Sequence, residues 1–116
     1  METNKQKQRE RLEEIFYTVN AIKQDLHKAT RIKIEVVKHL LTITSYVSET
    51  CSKKIEWRFD PKNRSLERAG KLMILDVTDF MVQYFPEANS VLYRIELDGK
   101  EQIRGYIFLM NMKKEG

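Results

Sequence analysis

The chain has 116 residues, enough for one domain with a core that needs no disulfide staples. Its hydrophobic fraction of 41% and charged fraction of 33%, with four Gly and two Pro, argue against global disorder. No run approaches the roughly 18 apolar residues needed to span a bilayer. A lone Cys51 cannot form an internal disulfide, so a reducing compartment, the cytoplasm, is expected; the polar stretch from Met1 to Arg11 does not read as a secretory signal.

Net charge is +4, and its location is informative. Lys53, Lys54, Arg58, Lys62, Arg64, Arg68 and Lys71 face only Glu56, Asp60 and Glu67 in the same stretch, while the rest of the chain is balanced. Such an excess is a candidate surface for an anion or a nucleic acid, and equally an ordinary solvated face.

From the N-terminus, Thr3 and Gln6 form a capping-box pattern, and Glu10, Glu13 and Glu14 suit the first turns of a helix. Steps of seven from Leu12 reach Val19, Leu26, Lys33, Leu40 and Val47. The companion position holds Ile15, Ile22, Ala29, Val36, Ile43 and Thr50. Ten of these twelve are apolar, a coiled-coil-like seam over residues 4–51. Two helical forms fit: one rod that needs a partner chain, or a hairpin broken near Ala29–Arg31. Lys33, the one charge in the seam, either fixes register or marks the break. A third form is strand, because ten of the 21 residues from Thr30 to Thr50 are β-branched and Ile32, Ile34 and Val36 alternate. The spacing of Val36, Leu40, Thr44 and Val47 favours the helix.

Residues 54–112 read as a small α+β head. Ile55, Trp57 and Phe59 alternate with charged residues as a strand, closed by a turn at Asp60–Asn63. Leu66, Ala69, Met73, Val77, Phe80 and Tyr84 recur at helical spacing, and Phe85-Pro86 would end that helix. Val91–Leu97 and Gln102–Met112 are joined around Asp98-Gly99, a preferred hairpin pair. The expected fold is therefore α+β: a long N-terminal helix or helical hairpin, then a β-α-β-β unit with a three-stranded, mainly antiparallel sheet.

Sites of chemistry are sparse. His27, His39 and Cys51 lie twelve apart, unlike the short spacings of a zinc site, so no metal is expected. No Gly-x-Ser-x-Gly elbow or phosphate-binding glycine loop occurs, and no cofactor is expected. Asp76 and Asp79 read as the wet side of a helix rather than a catalytic pair. A winged-helix reading fails on its recognition segment: Thr78–Phe85 carries no Lys or Arg.

The sequence thus points to a non-enzymatic, cytoplasmic interaction protein, an adaptor or regulator. It would form a homodimer through Leu12, Ile15, Val19, Ile22, Leu26, Val36, Leu40, Ile43 and Val47, and bind a protein partner through the head. The alternative is a nucleic-acid-binding regulator that uses the Lys53–Lys71 region.

Overall fold

The computed structural model describes residues 4–47 and 53–109. One helix, α1 (Asn4–His27), precedes eight strands: β1 (Arg31–Val37), β2 (Leu40–Tyr46), β3 (Lys54–Asp60), β4 (Ser65–Arg68), β5 (Lys71–Ile74), β6 (Val77–Phe85), β7 (Ser90–Leu97) and β8 (Glu101–Phe108). They form two antiparallel sheets with strand orders β1-β2-β3-β4-β5 and β6-β7-β8. Within each sheet every strand pairs with its neighbour in the chain, and a short 3-10 turn, Pro86–Ala88, links β6 to β7.

This corrects the expected helix-rich fold. α1 stops at His27, close to the break of the hairpin reading, but the next two elements are strands and there is no second helix among the described residues. The β-branched run from Thr30 sets the switch, because branched side chains lose rotamer freedom in a helix and pack well on a pleated surface. The Ala29 N–H bonds to the Leu26 carbonyl at 3.1 Å, tightening the last turn, and the Thr30 N–H and hydroxyl both reach the Tyr46 carbonyl. The seam is therefore split. Ile15, Val19, Ile22 and Leu26 are buried in the chain's own core, while Leu12 is 52% exposed. Val36, Leu40 and Ile43 belong to a β-hairpin, Val47 comes just after it, and a coiled coil through these positions is not supported. Thr3 of the capping box, Thr50 and Cys51 lie outside the described residues, as do Met110 to Met112 of the expected last strand.

The helix expected over Ser65–Phe85 is instead β4, β5 and β6. Ala69 and Gly70, at φ 50° and 81°, turn the chain between Arg68 and Lys71, and Asp76 at φ 61° turns it again. Two consecutive positive-φ residues make the tight turn whose twist suits a hairpin, and they stop a helix. Within β6, Phe80 and Val82 are buried while Asp79, Met81 and Gln83 alternate with them. The strand at Lys54–Asp60 and the hairpin around Asp98-Gly99 are present as expected, the latter with Asp98 and Gly99 at φ 55° and 68°.

The core lies between α1 and the inner faces of both sheets. Ile43, Trp57, Phe59, Leu66 and Ile74 come from the first sheet; Phe80, Val82, Tyr93, Ile95 and Ile107 come from the second. Packing is tight enough to dictate a glycine. Gly105 sits opposite Tyr93 across β7–β8, and a Cβ there would lie 2.7 Å from the Tyr93 ring, which is only 2% exposed. Gly105→Ala should therefore destabilise the protein by about 2 kcal/mol through overpacking. Urea unfolding would check this, and an unchanged midpoint would show that the ring can yield.

Candidate interaction surfaces

Among the described residues, Asp25 is the one charged residue that is buried. It lies in the last turns of α1, where the helix dipole disfavours a carboxylate, and its side chain is 7% exposed. Three donors hold it there. Trp57 Nε1–H donates to Oδ2 at 2.7 Å; Arg68 Nε–H donates to Oδ2 at 2.7 Å and its Nη2–H to Oδ1 at 3.0 Å. The Ser45 hydroxyl donates to the Asp25 backbone carbonyl at 2.8 Å, satisfying one of the helix's last free acceptors. Ser45, Trp57 and Arg68 come from β2, β3 and β4, and Trp57 and Arg68 are cross-strand partners.

The hydrogen bond to Asp25 raises the Arg68 pKa above the ordinary arginine value, outweighing the opposing effect of burial. A raised folded-state pKa gives stability that is fully present below the ordinary arginine range and lost only as pH rises through the raised value. Arg68 therefore adds no pH dependence near neutrality.

This placement bears on the basic stretch. Arg68 points inward to Asp25, whereas Lys54 and Arg58 lie on the outer face of β3, and Arg58 pairs with Glu56 at 3.1 Å. Lys62 and Arg64 occupy the exposed β3–β4 turn, Lys71 opens β5, and Lys53 precedes β3. The outer face of the first sheet is a checkerboard: Lys33 bonds Glu35 at 2.8 Å, which raises the Lys33 pKa, and Arg58 lies between Thr42 and Glu67. At one end Arg31 stacks over its cross-strand partner Tyr46, 5.7 Å from the ring centroid, beside Lys54. The seven basic residues are spread over two faces and two turns.

The other candidate residues also find places. His27 Nδ1–H donates to the Phe108 carbonyl at 2.9 Å, and His39 sits in the β1–β2 turn. Asp79 pairs with Arg94 at 2.7 Å, while Asp76 turns the chain into β6. Thr78–Phe85, the recognition segment of a winged-helix reading, is part of β6. Among the described residues, no group of three or more His, Cys, Asp or Glu could hold a metal, and no helix is long and apolar enough to cross a membrane.

Sequence reasoning missed an apolar surface on the second sheet. The register of β6-β7-β8 sets Phe85, Ser90 and Phe108 in one row, Gln83, Leu92 and Tyr106 in the next, and Met81, Arg94 and Arg104 beyond. Apart from Ser90, these side chains are exposed or half-buried, on the face opposite the core. Tyr106 and Phe108 are each 66% exposed, and Phe85, Leu92 and Met81 are half-buried around them. The rim is polar: Asp79, Glu96 and Gln102 form the next row, and Arg104 donates to Gln102 at 2.6 Å. Arg94 Nε is buried with no hydrogen-bond partner. The signal lies in the alternation of Arg104, Tyr106 and Phe108 against Ile103, Gly105 and Ile107, masked because both faces are largely apolar.

Asp25→Ala should destabilise the fold by about 3 kcal/mol, since it leaves Trp57 Nε1–H and part of the Arg68 guanidinium without an acceptor. Asp25→Asn keeps one acceptor and should cost less; equal midpoints for both variants in urea would remove the charge from the account. Compared with family models, curated proteins and solved structures, the chain matches none.

Proposed function

We propose that this protein is a non-enzymatic interaction module, an adaptor or regulator that receives a protein partner on the outer face of the β6-β7-β8 sheet. One observation carries the reading: five large apolar side chains, Met81, Phe85, Leu92, Tyr106 and Phe108, share the solvent-facing side of one sheet, with Leu92, Tyr106 and Phe108 direct neighbours. Exposed apolar patches with a polar rim are characteristic of binding sites, and aromatic residues, Met and Arg are the types enriched in their centres. Tyr106 and Phe108 are the anchors, because aromatic side chains dominate interface energetics. The single cysteine fits a reducing compartment, and the cytoplasm is the proposed location.

A nucleic-acid role is less well supported. Phosphate binding draws on basic side chains gathered on one surface. Here Arg68 is engaged by Asp25, and Arg58 and Lys33 each have a carboxylate partner.

The test is affinity capture with the wild-type chain beside a Tyr106→Ser, Phe108→Ser double variant, read by quantitative mass spectrometry. Both side chains are largely exposed, so the double change should alter stability by about 1 kcal/mol, which a thermal melt run beside the capture reads. A partner held through this face should be depleted at least about tenfold by the variant. An identical captured set for the two proteins would refute the assignment.

A further inference from the structure

β1 is an edge strand, and among the described residues it pairs only with β2. The other edges are better covered. α1 lies against β5 and β8, and the Val77 N–H at the start of β6 bonds to the Arg64 carbonyl of the first sheet. Edge strands are usually protected by proline, by charged side chains, by an inward-pointing charge or by a bulge. β1, Arg-Ile-Lys-Ile-Glu-Val-Val, has no proline, bulge or inward-pointing charge; its charges, Arg31, Lys33 and Glu35, all lie on the outer face, where two of them pair with each other.

Its geometry fixes which backbone groups are open. The β1–β2 turn has two residues, Lys38 and His39, at φ 51° and 71°. A two-residue turn of this kind makes Val37 and Leu40 a hydrogen-bonded pair, and the pattern then alternates along the ladder. Arg31, Lys33, Glu35 and Val37 thus spend their backbone groups on β2. Ile32, Ile34 and Val36 turn theirs to the open edge. The side chains of these three continue the apolar inner face formed by Ser45, Ile43 and Leu41, yet Val36 is 70% and Ile34 36% exposed.

We infer that a second copy of this chain occupies the edge, with the two β1 strands antiparallel about a two-fold axis at Ile34. The inference does not rest on the proposed partner surface of the other sheet. Charge selects the register. With the axis at Ile34, Ile34 meets Ile34 and Ile32 meets Val36 as hydrogen-bonded pairs, so the open groups on each edge find partners. Lys33 then meets Glu35 of the other copy in the non-hydrogen-bonded position, where side chains approach most closely. Since Lys33 and Glu35 already pair within one chain at 2.8 Å, the dimer would close a ring of four alternating charges. An axis at Lys33 would set lysine against lysine, and an axis at Glu35 glutamate against glutamate; both are disfavoured. On the inner face, the row Ile43–Ile34 would run through the axis into its symmetry copy. The arrangement is isologous and closed, which limits assembly to two chains.

Sedimentation velocity over a concentration series, with a charge swap, tests this. Wild type should reach twice the chain mass of 13.8 kDa. K33E alone and E35K alone should each weaken the dimer at least about tenfold, because two pairs per dimer become repulsive. The double swap K33E/E35K should restore it. Both side chains are half-exposed on the outer face, and thermal melts would verify that the fold survives. A wild-type monomer at every concentration overturns the inference. So does a dimer indifferent to the single swaps, and a dimer that the single swaps break but the double swap fails to restore overturns the register.

Discussion

The position of α1 depends on one buried carboxylate. The apolar stripe of Ile15, Val19, Ile22 and Leu26 gives the helix a reason to bury a face, but hydrophobic burial is non-directional and would tolerate rotation or sliding. Asp25 removes that freedom. Its three hydrogen bonds come from the side chains of Trp57 and Arg68, and a Trp indole or a planar guanidinium accommodates only a narrow range of directions. An Asp25 displaced by one helical turn would leave a charge in the core with no donor, at a cost of several kcal/mol. The bonds therefore specify the docking more than they strengthen it.

The remaining ties build on that anchor. Near its N-terminal half, the Arg11 guanidinium donates to the Leu75 carbonyl at 2.9 Å and pairs with Asp98 at 3.6 Å; at its other end His27 reaches the Phe108 carbonyl. Leu75 lies just past the first sheet's last strand, Asp98 just ahead of β8 in the second, and Phe108 at the end of β8. A helix locked by Asp25 to β2, β3 and β4 is thereby also attached to the other sheet at both ends of β8. Among the described residues the two sheets share no ladder, so α1 and the common core join them, helped by the Val77 N–H bond to the Arg64 carbonyl. Removing Asp25 would thus loosen the second sheet as well as the first.

Legibility in the sequence tracks the separation of the interacting residues. α1, β3 and the β7–β8 hairpin are readable because period, alternation and the Asp98-Gly99 pair are local. The heptad seam fails beyond Ala29 because strands and helices alias at short range. Val36 and Ile43 lie on the inner face of the hairpin and Leu40 on the outer, although all three keep helical spacing. The turn that separates them, Lys38-His39, holds positive φ without a glycine, and no residue there announces it. The same aliasing hides β4, β5 and β6: Leu66, Val77 and Phe80 are all buried, but Ala69 is a turn residue. Of the candidate sites, Arg68 reads in sequence as one surface cation among seven. Its partner lies 43 positions away, and only tertiary structure pairs them. The Tyr106–Phe108 face escapes for a different reason: sequence alternation does not say which of two apolar faces is the covered one.

The fold closes its apolar surface unevenly, and the pattern of open regions carries meaning. Where the first sheet meets α1, side chains with an apolar body are covered and the polar groups among them are bonded. At the β1 edge and on the outer face of β6-β7-β8 apolar residues stay exposed, as do Leu12, Phe16 and Tyr17 on α1 and Leu72 and Leu75 around β5. Random surface hydrophobes scatter singly; those of the β1 edge and the outer face fall into registered rows, Ile32–Ile34–Val36 on one strand and Phe85, Leu92, Tyr106 and Phe108 across three. The two regions suit different partners. An edge whose charges complement their own two-fold image fits a copy of itself, while a broad aromatic face with a mixed rim fits a protein partner. If both are used, pairing at β1 would present two partner faces on one particle. A partner with repeated epitopes would then be held by the second face at the effective concentration set by the dimer, so modest affinity at each face would suffice for a durable complex.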